Sequence, residues 1–400
     1  MVDKILFTLN LYFLMLRSYL IRSFNIVFRK TKKSKKLKRI LFLENQPAVH
    51  SGAHYRVEIL RKYLNQQGIE MEVHYPFNPI EFKEKPSFKS FRIHLKKKFE
   101  IILSAKNYDL IVVRRELVHQ IQYGNLFLEK LLLSINANVV LDMDDYMPDL
   151  RAHLANGNKS IYNKINFFNP YKNKDSFRLY NFYTLAIEEF NTALLNDCHQ
   201  ISKENIHIFP MSLDYEDSLK VYNTHNKVVG WLSQSIHFKR IDALVPYFNR
   251  VYLEYPFELH IVADKAYENV ELKVPVINKK WSLEEERKFM QIFDIGIAPI
   301  DSSGDVKSRK GTFKLVQYMA LGVVSFSSYL TYGEKLIDEN VSGFFAHKEE
   351  DWYKKLLEIL KIEPQKMNEI KTLAYESFYE RHHIKVQAQK LIDFYKKICD

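Results

Sequence analysis

The sequence predicts two doubly wound α/β domains on one chain, and three observations predict them. Short apolar runs of strand length alternate with helix-length amphipathic stretches. The alternation is written twice, once over 40–212 and again from 228, with an unpatterned stretch between them. At 400 residues, with 46% hydrophobic and 14% aromatic side chains, the chain is long enough for two cores.

The elements follow in order. RILFLEN (39–45) reads as a first buried strand, QPAVHSGAHYRV as a loop, and VEILRKYLNQQG as a helix stopped by Gly68. MEVHYPF (71–77) closes a βαβ opening. The stretch 78–100 is basic and irregular until a helical pattern resumes. YDLIVVRR (108–115) is short and apolar, as in a parallel strand covered on both faces. A helix with Leu126, Leu128, Leu131 and Leu132 leads to ANVVLDMDD (137–145), a strand ending in acids. Residues 151–175 are asparagine-rich and read as a surface loop, 176–190 as a helix, and NTALLND (191–197) and NIHIFPMSL (205–213) as strands. LDYEDSLKVYNTHNK (213–227) has no apolar period and reads as a linker.

The second series begins at VVGWL (228–232), followed by the helical pattern DALVPYFNRVYLEY and the strand FELHIVAD (257–264). SLEEERKFMQIF (282–293) reads as a helix with Ser282 as N-cap. DIGIAPI (294–300) is a buried strand, KGTFKLVQYMALG a helix ending at Gly322, VVSFSS a strand, and SGFFAH (342–347) another. Two amphipathic helices complete the chain. The domains expected are a basic amphipathic tail (1–39), a first α/β domain (40–212), the linker (213–227), a second α/β domain (228–380), and a C-terminal helix (381–400) that crosses back to the first.

The net charge of +11 is not spread over the chain. Residues 1–40 hold eleven Lys or Arg and one Asp, so the rest is nearly neutral, which argues against a nucleic-acid partner. The tail couples an apolar stretch, KILFTLNLYFLMLRSYLIRSFNIVF (4–28), to RKTKKSKKLKR (29–39). A spanning helix wants about 20 mainly apolar residues. Here Asn10, Arg17, Arg22 and Asn25 interrupt them, and the longest apolar run is Leu11–Leu16. An interfacial helix with the lysines against anionic headgroups fits best; a span and a helix packed on the body are the alternatives. No cleavage site of the A-x-A type follows. Two cysteines, Cys198 and Cys399, exclude a disulfide framework and fit a reducing compartment. There is no G-x-G-x-x-G, Walker loop, G-x-S-x-G or H-E-x-x-H.

Four stretches of the second half together resemble a known group: GWLSQSIHFKRIDAL, WSLEEERKFMQIFDIGIAPI, RKGTFKLVQYMALGVVSFSS and NVSGFFAHKEEDWYKKLLEIL. HSGAHYRV, DLIVVRREL and VVLDMDDYMPD add to the likeness in the first half. The chain resembles the retaining nucleotide-sugar glycosyltransferases of the GT-B fold, group 1 (family 4-like), over residues 40–395. The resemblance implies two Rossmann-like domains facing a cleft, a nucleoside-diphosphate sugar bound on the second, and an acceptor on the first. It also implies transfer with retention at the anomeric carbon, and neither metal nor other cofactor.

The resemblance gives the residues roles. Lys239 or Arg240 would meet the donor diphosphate. So would Arg309, Lys310, Gly311, Thr312 and Lys314 at a helix N-terminus, where free N–H groups and about +0.5 of a charge favour anions. The group has two glutamates eight positions apart here; this chain has Arg309 and Gln317. Gln317 can still bond a ribose, whereas Arg309 reverses the charge. Gly52, His54 and Arg56 would face the acceptor, or form a plain turn. Asp144 and Asp145 would stand at the donor sugar as catalytic carboxylates. Competing readings of this acid cluster are a D-x-D metal clamp with Asp142 and an acidic loop capping the next helix. Glu284, Glu285 and Glu286 read as an acidic first helix turn.

The expected function is sugar transfer from a nucleotide sugar to a glycan or lipid-linked acceptor in bacterial surface polysaccharide synthesis. The expected location is cytoplasmic, on the inner membrane face through residues 1–39. A non-catalytic GT-B scaffold regulating another transferase is the alternative that Arg309 and Gln317 raise.

Overall fold

A computed structural model describes residues 2–28, 36–44, 47–48, 50–75, 87–117, 126–144, 178–197, 200–216, 227–300, 313–330 and 333–400. The chain divides into two compact units. One is Met1–Met211 with Gln387–Asp400, the other Ser212–Val386.

Unit 1 is built on a six-stranded, wholly parallel sheet of order β2-β1-β3-β4-β5-β6. Its strands are β1 (Arg39–Leu43), β2 (Glu70–His74), β3 (Leu110–Arg114), β4 (Val139–Met143), β5 (Phe182–Leu185) and β6 (Ile206–Ile208). β3 and β4 are buried along their whole length, as strands covered on both faces must be. Its helices are α1 (Val2–Phe28), α2 (Ile59–Gln66), α3 (Phe88–Ser104), α4 (Phe127–Ile135) and α5 (Glu189–Asp197).

Three expectations are corrected here. FYTL (182–185), expected to be helical, is β5, because its aromatic and β-branched side chains suit a largely buried strand between β4 and β6. NTALLND, expected as a strand, lies in α5, where buried Phe190 and Leu194 stand one helical turn apart. The loop expected at 46–57 is helical from Ser51: a turn (Ser51–Ala53) and a π-helical segment (His54–Glu58) run into α2. Buried Ala53, Val57, Leu60 and Leu64 already form a helical stripe there. Gly68, at φ 76°, ends the run as expected.

The expected N-terminal helix is present as α1, and it packs on unit 1. Phe7, Leu11, Leu14 and Ser18 repeat at helical spacing and are buried. Phe7 meets the ring of Phe88 at 5.7 Å, and the Arg17 guanidinium lies 5.3 Å from the ring of Phe99, both on α3. On α4, Ser18 Oγ donates to the Phe127 carbonyl (3.1 Å) and Asn25 Nδ2 to Ser134 Oγ (3.3 Å).

Unit 2 carries a second parallel sheet of order β12-β11-β10-β7-β8-β9. The strands are β7 (Val228–Leu232), β8 (Glu258–Ala263), β9 (Val276–Lys280), β10 (Ile295–Ala298), β11 (Val324–Ser328) and β12 (Phe344–Ala346). Strand order reverses between β7 and β10, the point where such sheets take ligands. The half-polar β9, VINKK, is an edge strand that the pattern did not announce. The helices are α6 (Lys239–Asp242), α7 (Val245–Glu254), α8 (Glu286–Met290), α9 (Phe313–Ala320), α10 (Asp351–Leu360) and α11 (Pro364–His382). α12 (Ile384–Cys399) has its residues from Gln387 onward in unit 1.

Helix α8 begins four residues later than expected. Ser282 Oγ still accepts from the Glu285 N–H at 3.3 Å, but the chain turns before the helix so that Glu286 points inward. In the segment expected to be a linker, Leu213 and Tyr215 are buried, and Leu213 is bridged to His383. Gly230 in β7 has no room for a side chain, because a Cβ would fall 2.0 Å from the Phe293 ring. The loop 151–175, the lysine-rich 29–35, Cys198, and the site candidates Asp145, Arg309, Lys310, Gly311 and Thr312 lie outside the described residues.

Candidate functional site

The described candidate residues gather at the carboxyl edges of the two sheets, and each edge has its own chemistry. In unit 2, α9 follows β10 and so starts at the carboxyl edge. Its end is firm. Gly322 takes φ 64°, and its N–H and that of Val323 donate to the Met319 and Tyr318 carbonyls at 3.2 and 2.9 Å. That pattern is a Schellman motif. From the first turn of α9, Lys314 extends its ammonium to 5.4 Å from the ring of Trp231, near the end of β7. A cation therefore stands at the switch point.

One turn on, Gln317 is buried and donates through Nε2 to Glu286 Oε1 at 3.3 Å. The other Glu286 oxygen accepts from Trp281 Nε1. Burial pushes the Glu286 carboxyl up to about 7, with the Gln317 bond working against it. Glu286 is expected from sequence as part of an acidic first helix turn. It is instead a buried carboxylate held against Gln317, eight-position partner of the reversed Arg309. Where the resembling enzymes carry a glutamate, this chain has a neutral amide with a carboxyl group next to it.

Lys239 and Arg240 open α6 after β7. They line a cavity of about 440 Å³ at the carboxyl ends of β10, β11 and β12, together with Pro299, Ser328, Tyr329 and His347. That size suits a small organic ligand. Among the described residues neither Lys239 nor Arg240 is held in an ion pair.

In unit 1 the edge is made of paired charges. Glu44 follows β1, Arg114 ends β3 and Asp144 follows β4. Arg114 donates from Nη1 to Glu44 Oε2 at 2.7 Å and from Nη2 to Asp144. Arg115 Nε donates to the other Asp144 oxygen. Burial alone would raise the Asp144 carboxyl, but the Arg114 and Arg115 charges outweigh it and hold it well below the usual range. Asp144 is thus an anchored acceptor and a very weak base. Arg115 takes φ 59°, and the Glu116 N–H donates to the Arg114 carbonyl at 2.7 Å, closing a three-residue turn. Such turns are strained.

Deeper in the same unit, Arg56 is buried and grips Asp142 with two bonds, Nε to Oδ2 at 3.1 Å and Nη2 to Oδ1 at 2.6 Å. Thr184 Oγ1 donates to Asp142 at 2.6 Å, and Arg56 Nη1 to the Phe209 carbonyl. The acceptor role expected for Arg56 is corrected: its guanidinium is spent inside the unit, tying α2's entry to β4 and to the end of β6. Gly52 and His54 are half-buried, and the Gly52 N–H donates to His50 Nδ1 at 3.1 Å. The metal-clamp reading is likewise unsupported, because Asp142 and Asp144 each face arginines. Sequence reading missed Glu44, Arg114 and Arg115. The available signal was a charged residue closing an otherwise apolar strand.

No protein-family model matches the sequence, and no characterised protein matches it by sequence. Solved structures do match by fold. A glycosyltransferase from Rickettsia africae aligns with a TM-score of 0.63 and 16% identity, covering 90% of this chain and 98% of that one. An α-glucosyltransferase bound to UDP-glucose and DNA aligns at 0.61 and 12%, covering 90% and 99%. TarM of S. aureus, bound to UDP and an α-GlcNAc-glycerol, aligns at 0.54 and 15%. It covers 76% of this chain, which spans only 59% of TarM. The shared architecture is the two-domain α/β fold named GT-B.

Proposed function

We propose, from the GT-B fold as premise, that this protein transfers a sugar from a nucleoside-diphosphate sugar to an acceptor, with retention and without a metal ion. The observation behind this reading is the cation-rich carboxyl edge of unit 2: Lys314 at the switch point, Gln317 against Glu286, and the cavity flanked by Lys239 and Arg240. A departing diphosphate needs its charge met, and fixed cations with a helix N-terminus do so without reorganisation. Arg309, Lys310, Gly311 and Thr312 precede α9 in sequence and would extend the same cradle. Gln317 and Glu286 would bond the ribose hydroxyls. Two of the fold neighbours were solved with UDP or UDP-glucose, which makes uridine the first base to try.

Unit 1 would hold the acceptor. Gly52 and His54 remain its candidates, joined by Arg115, while Asp144, with Asp145, would accept hydroxyl hydrogen bonds at the donor sugar. The acceptor would be a glycan or lipid-linked precursor of a surface polysaccharide, not a nucleic acid, and the protein would work on the inner membrane face.

The test is a thermal-shift panel with UDP, GDP, ADP and CMP and their sugar conjugates, in EDTA and again in Mn²⁺. At about 100 times the dissociation constant a ligand adds about 2.7 kcal/mol. Stabilisation by one diphosphate in EDTA supports the reading. A shift only in Mn²⁺ overturns its metal-free part, and no shift with any donor favours the non-catalytic scaffold.

A further inference from the structure

Helix α1 carries apolar side chains on two opposite faces, one packed on unit 1 and the other exposed. The buried stripe through Phe7, Leu11, Leu14 and Ser18 packs on α3 and α4. On the opposite side, Leu9, Tyr12, Phe13, Leu16, Leu20 and Phe24 are each 61–66% exposed. Residue for residue that is the apolar pattern of a buried or membrane helix, displayed on the outside of unit 1. Soluble surfaces rarely keep so continuous a patch without a use.

Two observations choose its occupant. The first is charge. The chain leaving α1 reads RKTKKSKKLKR. Beside α1, helix α3 exposes Lys89, Lys96 and Lys97, with Ile93 between them 39% exposed. Lys96 shares its charge with Glu100 at 4.0 Å. A second copy would bring the same cations to the same patch, so self-association is opposed. An anionic bilayer offers hydrocarbon for the stripe and phosphate for the lysines.

The second is packing. By length and composition α1 is able to cross a membrane. Yet it is held along its length, from Phe7 against Phe88 to Asn25 on Ser134. Crossing would either strip that packing or draw the cations of α3 into hydrocarbon.

We infer that α1 lies in the plane of an anionic bilayer, its outer stripe in the acyl boundary and the basic face of α3 on the headgroups, so that unit 1 is docked directly rather than tethered. This deepens the membrane part of the proposed function and rests on it. It gives the carboxyl edge of unit 1 a fixed orientation relative to the lipid, as suits a lipid-linked acceptor.

The full chain would be sedimented with phosphatidylcholine vesicles and with vesicles containing 30% phosphatidylglycerol, at low and high salt. Expected is binding at least tenfold tighter to the anionic vesicles, weakened by salt. Leu9→Glu with Leu16→Glu should lower it at least tenfold and keep the far-UV spectrum. Should that pair misfold, Lys89→Gln with Lys97→Gln should weaken binding to anionic vesicles about threefold. Unchanged binding in these variants overturns the inference. So does a salt-stable dimer abolished by the leucine pair, or resistance to carbonate extraction, which would mean a span. UDP-induced stabilisation, read on the same samples, separates the two readings: its loss with docking intact removes the donor site, and the reverse removes only the docking face.

Discussion

The two carboxyl edges use the same fold position in opposite ways. In unit 1 the three arginines of the edge and the layer beneath it are answered: Arg114 by Glu44 and Asp144, Arg115 by Asp144, Arg56 by Asp142. In unit 2 the cations Lys239 and Arg240 flank a cavity, while the buried acid of α8, Glu286, is held by an amide and an indole. Closed charge networks specify structure; cations around open volume are available to a ligand. The first edge should therefore report substitutions as lost stability, and the second as lost binding.

The largest effect should come from Arg114. It is fully buried, and its removal leaves Glu44 and Asp144 without their shared partner. Breaking a buried pair from one side costs about 3–5 kcal/mol. Urea unfolding of Arg114→Met should show a loss of that size. A loss under about 1 kcal/mol would mean that the network is not structural and would break the contrast between the edges.

Lys314→Ala should behave the other way. Its contact with Trp231 is a cation–π pair, worth about 0.5–1 kcal/mol, so its loss should cost clearly less stability than Arg114→Met. A charge-assisted bond to a diphosphate is worth about 1.5–3 kcal/mol, so UDP binding by calorimetry should weaken roughly ten- to hundredfold. Equal affinity in the variant would take Lys314 out of the donor site.

How much of this was legible in the sequence follows from where the energy sits. Both parallel sheets announced themselves, because strands such as LIVVR and VVLDM are apolar on both faces. The α9 helix and its stop at Gly322 were legible because a left-handed residue after an apolar run has few alternatives. The errors fell where tertiary partners overrule local pattern. FYTL became a strand through β4 and β6, and HSGAHYRV became helical through the buried stripe of Ala53 and Val57 and the Arg56 pair with Asp142. The charge networks were illegible as networks: Glu44, Arg114 and Asp144 are 70 and 30 positions apart and meet only because β1, β3 and β4 are neighbours. The acidic 284–286 hid one inward residue among outward ones, since charge type does not say which face a helix turns.

Glu286 sharpens the comparison through pH. Its folded carboxyl is pushed up to about 7 from an ordinary 4.5, so between those values the folded state holds a proton that the unfolded state has released. Stability from this group is complete below about 4.5 and is lost as pH rises through about 7. The loss between pH 5 and 8 should be about 2 kcal/mol. Glu286→Gln should flatten that slope and be the more stable protein at pH 8. A wild-type slope no steeper than the variant's would place a charged, solvated carboxylate there and remove the case for its pairing with Gln317.

The smallest effect separates the cavity from the surface around it. Lys239 is exposed, and surface substitutions usually change stability by no more than about 0.5 kcal/mol. Lys239→Ala should therefore unfold with wild type. Its ammonium is more solvated than that of Lys314, and solvated charges give little per contact, so UDP binding should fall only about three- to tenfold. The salt dependence is the discriminating readout. If Lys239 meets the diphosphate, the variant should lose part of the wild-type decline in affinity with rising salt, because one screened contact is gone. If the slope is unchanged while affinity falls, Lys239 shapes the cavity without touching the anion, and Arg240 becomes the residue to replace next.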